Sequence, residues 1–246
     1  MSSPGVSSAF SFLSFVLLLQ TVALGANVDP LFHSCSNENF TANGPYQTNL
    51  NTLVGYLYHQ APTTGFGIGS LGQNPSQANG LALCRGDVSA SDCKRCVADA
   101  VSTIRKSCPY SKSAKIFYDN CMFKYSNDNF FGQIDNGTKY FMWNVNNVSN
   151  PVTFNQKSKE LLSRLANEAS GNPKLYAAGE LELNEESKKK IYGLAQCTRD
   201  LSYNDCKMCL DRIIGDLPSC CDGKQGGRVI TASCIINYEI YPFVKA

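Results

Sequence analysis

Apolar residues recur along this chain with a helical period and an alternating period, and each pattern occurs twice. From Cys93 the apolar positions are Cys93, Cys96, Val97, Ala100, Val101 and Ile104; from Cys206 they are Cys206, Cys209, Leu210, Ile213, Ile214 and Leu217. Steps of 3, 1, 3, 1, 3 trace one face of an α-helix. Ser89-x-x-Asp92 and Ser202-x-x-Asp205 stand just ahead of these runs and read as helix caps. Both Cys-x-x-Cys pairs therefore point into a core. A further helix is marked upstream by Leu50, Leu53, Val54 and Leu57, and again by Leu161, Leu162 and Leu165. Each copy closes in alternating, strand-like sequence, Lys115–Tyr125 and Arg228–Tyr238. Two helices with several antiparallel strands per copy is an α+β arrangement.

The cysteines fix the period of the repeat. Cys84, Cys93, Cys96, Cys108 and Cys121 are matched in register by Cys197, Cys206, Cys209, Cys221 and Cys234, 113 residues later. That period is too long, and the copy number too low, for a solenoid; two tandem globular domains fit. The boundary falls in the short polar stretch Phe131–Asn136, so the expected domains are 27–131 and 136–246.

The N-terminus stands apart from this pattern. Ala9–Leu19 is an apolar run of eleven residues, too short to span a bilayer, and Ala23 and Gly25 follow at positions that suit signal peptidase. Residues 1–26 are expected to be a cleaved signal peptide, although Met1–Ser8 contains no Lys or Arg. The expected mature chain is secreted, with no membrane span. Twelve cysteines then imply disulfides, because the export pathway is oxidising. The net charge of +2 comes with no long basic run, which argues against a nucleic-acid partner. Lys188-Lys189-Lys190 follows Glu185-Glu186 and reads as a solvated helix face. Asn39, Asn136 and Asn147 each head an Asn-x-Ser/Thr sequon, and are candidate N-glycosylation sites.

Three uses of the Cys-x-x-Cys pairs compete. Thiol redox chemistry needs an exposed pair at a helix N-terminus, and these lie on an apolar face. Zinc needs four ligands, and His33 and His59 are the only histidines, both in the first copy. Structural disulfides remain, each worth roughly 2–5 kcal/mol. Spacing alone leaves 15 connectivities open for the six cysteines of the first copy. The second copy lacks a counterpart of Cys35 and has adjacent Cys220 and Cys221, whose bonding the sequence leaves open. No metal, cofactor or catalytic constellation is expected, and the chain does not read as an enzyme.

C-x8-C-x2-C in tandem, Tyr192-Gly-Leu-Ala-Gln-Cys197 with Asp200-Leu-Ser, and Gly227-Arg-Val with Tyr238-Glu-Ile-Tyr-Pro-Phe243 together resemble plant cysteine-rich repeat secretory proteins. Their unit is the ginkbilobin-homologous domain, also found in the ectodomains of cysteine-rich receptor-like kinases and plasmodesmata-located proteins. The resemblance implies two helices packed on a five-stranded antiparallel sheet in each domain. It implies Cys35–Cys108, Cys84–Cys93 and Cys96–Cys121 in the first domain. In the second it implies Cys197–Cys206 and Cys209–Cys234.

A seed antifungal protein of that family binds mannose through an Asn, an Arg and a Glu. Its offsets from the last cysteine land on Lys115 and Ser126 in the first domain, with Ser36 after Cys35, so no site is expected there. In the second domain they land on Arg228 and Glu239, with Asn147 as the Asn partner and Asn144 and Asn146 as alternative registers. A glycan on Asn147 would block such a pocket. Arg228 and Glu239 read equally as a cross-strand pair that stabilises the sheet. Tyr140 and Trp143 suit either sugar stacking or packing. The resemblance thus implies an apoplastic defence or stress protein with mannose-containing glycans as partners, or else a module that engages cell-surface proteins without a sugar site.

Overall fold

The computed structural model describes residues 29–183 and 189–244, so the expected signal peptide lies outside the described residues. In the first domain the order is β1 (Phe32–Cys35), α1 (Pro45–Thr64), β2 (Phe66–Leu71), β3 (Ala78–Cys84), α2 (Ala90–Ser107), β4 (Ala114–Phe117) and β5 (Cys121–Ser126). The second repeats it with β6 (Tyr140–Trp143), α3 (Pro151–Ser170), β7 (Tyr176–Glu182), β8 (Lys190–Cys197), α4 (Tyr203–Gly215), a short α5 (Leu217–Cys220), β9 (Gly227–Ile230) and β10 (Cys234–Glu239). Among the described residues these form two antiparallel five-stranded sheets, ordered β1-β4-β5-β3-β2 and β6-β9-β10-β8-β7.

The caps lie where the sequence puts them: Ser89 Oγ accepts from Asp92 N–H and Ser202 Oγ from Asp205 N–H, both at 3.1 Å. Each first helix lies across its sheet at a glycine. A Cβ on Gly80 would come within 2.9 Å of Leu57 Cδ1, and one on Gly193 within 2.8 Å of Leu165 Cδ1. Helix and sheet approach so closely only because those two strand positions carry no side chain. Leu50, Leu53 and Leu57 in the first domain, and Leu161, Leu162 and Leu165 in the second, are fully buried there.

Disulfides join Cys35–Cys108, Cys84–Cys93 and Cys96–Cys121 in the first domain, and Cys197–Cys206 and Cys209–Cys234 in the second. Together they tie β3 and β5, and likewise β8 and β10, to the second helix of each domain. Trp143 stands where the first domain has Cys35, since Trp143 pairs with Gly227 as Cys35 pairs with Ala114. Cys221, left without that partner, bonds its neighbour Cys220.

Two local expectations are corrected. Leu217 does not extend α4; the helix stops at Gly215 and Pro218 opens the new turn α5, because proline suits a first turn and not an interior. Lys190 starts a strand, not a helix, and its ammonium pairs with Glu180 on β7; Lys188 lies outside the described residues.

The helix-free faces of the two sheets meet each other. Leu81, Leu83, Phe117 and Met122 pack against Ile230 and Ala232, and Phe32 stacks on Tyr140 with ring centroids 4.4 Å apart. The packing is approximately two-fold. Tyr176 covers Gly86, where a Cβ would lie 2.3 Å from the ring. At the equivalent pair the Arg199 guanidinium lies over Phe66, 5.5 Å from its centroid. Polar side chains cross the seam as well: Gln196 Nε2 donates to Cys84 O, and Lys124 Nζ to Ala232 O, both at 3.0 Å. Burial pushes the Lys124 ammonium below its ordinary pKa, while Asp200 and Asp135 act in the opposite direction.

Candidate functional site at the rim of the second sheet

Side chains alternate across a strand, so Ile230 on β9 and Ile235 on β10 mark the face of the second sheet that meets the first domain. Arg228 and Glu239 lie on that same face. Arg228 pairs with Asn237 across β9 and β10, which leaves Glu239 at the diagonal position. On the other side Arg228 pairs with Met142 of β6, and Asn144, two residues beyond Met142, completes the row.

Asn144 Nδ2 donates to Glu239 Oε2 at 3.2 Å. The carboxylate rests on Gly226, where a Cβ would fall 2.1 Å from Glu239 Cδ. Tyr241, about half exposed, shares this corner. Partial burial raises the pKa of its hydroxyl, and the neighbouring Glu239 charge raises it further. Arg228 is held from the first domain: its Nη1 donates to Asp119 Oδ1 at 2.6 Å.

Asn147, the expected partner, is not in this group. Its Oδ1 accepts from Lys224 Nζ at 2.8 Å, and its backbone bridges to Lys224. The register is set by main-chain bonds. Asn144 N–H donates to Gly226 O as Ser36 N–H donates to Ser113 O in the first domain. Asn144, not Asn147, is therefore the structural equivalent of the residue after Cys35, and the Asn147 sequon does not sit on the Asn144–Glu239 contact.

The first domain carries a different arrangement at the matching positions. Lys115 Nζ binds Asp135 Oδ2 of the interdomain connection at 3.1 Å. Burial alone would raise the Asp135 pKa, but the Lys115 charge and the Gly137 N–H hold it below the usual carboxylate value. Ser126 Oγ accepts from Asp128 N–H at 3.0 Å, and Ser36 Oγ from Ser113 N–H at 3.2 Å. The connection thus lines that place in the first domain, where an opening of about 250 Å³ remains beside Lys115 and Ser126.

Asn144, Arg228 and Glu239 offer an amide, guanidinium donors and a carboxylate acceptor on one rim, the set that makes charge-assisted bonds to vicinal hydroxyls. Tyr241 adds an exposed ring. The cavity between the sheets, lined in part by Arg228 and Asn237, holds about 50 Å³. That suits a few waters and not a sugar ring, so a saccharide would sit at the rim. Trp143 is half exposed on the opposite face of edge strand β6, and Tyr140 is used in the seam. Asn39, Asn136 and Asn147 are all solvent-exposed. His33 and His59 are exposed, on β1 and α1 of the first domain. Among the described residues no cluster could hold a metal, and no helix is long and apolar enough to cross a membrane.

Sequence reasoning missed Asp119, Tyr241 and Gly226. Nothing local marks Asp119, which reaches Arg228 only because the domains pack. Gly226 and Tyr241 carried a signal, since they flank the Arg228 and Glu239 positions.

A protein-family model described as salt stress response/antifungal matches residues 34–128 and 142–241. An antimicrobial ginkbilobin-2-like protein of Castanea crenata is 55% identical over 242 residues, 98% of this chain and 100% of that protein. Cysteine-rich repeat secretory protein 38 of Arabidopsis thaliana is 51% identical over 219 residues, covering 87% of this chain and 86% of that one. Among solved structures, the tandem DUF26 ectodomain of the Arabidopsis thaliana cysteine-rich receptor-like protein PDLP8 superposes with a TM-score of 0.78. It is 27% identical, covering 88% of this chain and 100% of that one.

Proposed function

The chain belongs to the salt stress response/antifungal family as a secreted, two-domain cysteine-rich repeat protein, and from that premise we propose that it is an extracellular defence protein that binds mannose-type glycans at the rim of its second sheet. One observation carries the reading: Asn144, Arg228 and Glu239 fall in one row on one face, with Asn144 Nδ2 3.2 Å from Glu239 Oε2. Glu239 accepts from a vicinal diol, Arg228 and Asn144 donate, and Tyr241 packs on the apolar face of the ring. The antimicrobial name of the Castanea crenata relative supports the defence assignment. The role is binding and not catalysis. Asn39, Asn136 and Asn147 are the proposed glycosylation positions, and a glycan on Asn147 leaves Asn144 free.

Arg228 favours a second reading. Its ion pair with Asp119 gives it a purely architectural use, as expected of a module that engages cell-surface proteins and binds no sugar. Calorimetric titration of mannose oligomers into the Asn144→Ala and Asn147→Gln variants separates the two. The sugar reading predicts weakened binding in the first and wild-type binding in the second. No binding by the wild type leaves the interaction module, whereas equal binding by both variants places the sugar away from Asn144 and overturns the rim site.

A further inference from the structure

A second opening between the domains lies away from the Glu239 rim, where the end of β3, the turn after α1 and the β8–α4 connection meet. This cleft holds about 300 Å³ and includes Thr64, Cys84 and Arg85 from the first domain with Lys174, Gln196 and Arg199 from the second. That volume is at the lower end of the range for small-ligand sites, and domain interfaces are a preferred place for them. Its lining carries three cationic side chains and, among the described residues, no carboxylate.

The charges are not equally available. Arg85 clamps Asp87, Nε to Oδ1 at 2.6 Å and Nη2 to Oδ2 at 3.0 Å, so that pair is internally balanced. Arg199 is positioned without being neutralised: one Nη1–H donates to the neutral Thr64 O at 2.8 Å and its plane lies over Phe66. Lys174 forms no ion pair with a described residue, and its ammonium is exposed at the cleft. Two uncompensated positive charges therefore border one cavity, and one of them is a guanidinium fixed by contacts that leave its remaining N–H groups open. A fixed guanidinium suits a planar carboxylate, which it can bind through two parallel bonds. The threonines and the main chain of the turn after α1 supply polar contacts for hydroxyls. A secreted protein in a plant wall meets carboxylates chiefly on uronic-acid polysaccharide.

We propose that this interdomain cleft binds a uronate-bearing oligosaccharide, with Arg199 and Lys174 on its carboxylates. The site is built by both domains and is separate from the mannose-type site.

The test is calorimetric titration of trigalacturonate into the full oxidised, secreted protein at low salt. Wild type, Arg199→Gln, Lys174→Glu and Glu239→Ala are compared, with inorganic phosphate and neutral mannotriose as control ligands. Lys174→Glu is included because Lys174 has no ion pair to lose, so it keeps the fold even if Arg199→Gln loosens the seam. The expected result is saturable trigalacturonate binding, weakened about tenfold by Lys174→Glu and falling with added salt, while Glu239→Ala binds as wild type. Absence of trigalacturonate binding, or binding indifferent to Lys174→Glu, overturns the proposal. So does phosphate binding as tightly as trigalacturonate, which would make the cleft a generic anion site. Weakening by Glu239→Ala alone would place the saccharide at the other rim and overturn the cleft assignment while leaving the rim site standing.

Discussion

Replacing Gly226 by alanine removes no polar group from the rim, yet the account predicts that it disables it. The new Cβ would fall 2.1 Å from Glu239 Cδ and Oε2 and 2.3 Å from Oε1, where ordinary contact begins near 3.4 Å. The carboxylate must therefore withdraw by about 1.3 Å, which stretches the 3.2 Å bond to Asn144 out of hydrogen-bonding range. Glu239 is the far end of a flexible side chain at the edge of a sheet, so the fold absorbs the change at a cost of less than about 1 kcal/mol. Binding does not. Losing a hydrogen bond to a charged group costs about 1.5–3 kcal/mol, which is roughly 10- to 150-fold in affinity. Calorimetric titration with a mannose oligomer, alongside urea unfolding of the same sample, reads both quantities. Wild-type affinity in a folded Gly226→Ala protein would refute the placement of Glu239 in the site.

Three further outcomes follow from the fold. Removing Cys209–Cys234 should cost about 3.5 kcal/mol in urea unfolding, because it closes a 25-residue loop, whereas removing Cys220–Cys221, which joins neighbours, should cost below about 1 kcal/mol. Gly193→Ala should destabilise the second domain by about 1–3 kcal/mol, since its methyl meets Leu165 and Leu161 at 2.8 and 2.9 Å; unchanged denaturation midpoints would contradict the close packing of α3. Lys124 has a folded pKa lowered by burial, so between its folded and unfolded values the unfolded chain binds more protons and stability rises with pH. Lys124→Met should lose that part of the alkaline slope, measured as the difference between wild-type and variant urea midpoints across that window, and an unchanged slope would place the ammonium in solvent.

The helices and the core were legible in the sequence because local rules govern them. Ser89 and Ser202 cap where spacing predicts, and the 3-1-3 runs from Cys93 and Cys206 are the buried faces. Repeat register carried Arg228 and Glu239 to one face, since both lie close to Cys234. It failed for Asn147 because the distance to the next cysteine differs: Cys84 follows Cys35 by 49 residues, whereas Cys197 follows Trp143 by 54, the extra length lying between α3 and the end of β8. Without a cysteine at position 143 nothing in the sequence anchored that strand, and only the bond from Asn144 N–H to Gly226 O fixes it. Asp119, Lys124 and the cationic cleft were not legible, because each depends on how two sheets pack and not on any periodicity within one.

The central claim is that the rim formed by Asn144, Arg228 and Glu239 recognises mannose-type glycans. It is tested most directly by co-sedimentation of the oxidised, secreted protein with insoluble mannan, beside an Arg228→Ala/Glu239→Ala variant with a native circular dichroism spectrum. The account predicts that the wild type pellets with mannan and is released by free mannose, while the folded double variant stays in the supernatant. Equal pelleting of both proteins, or of neither, would contradict it.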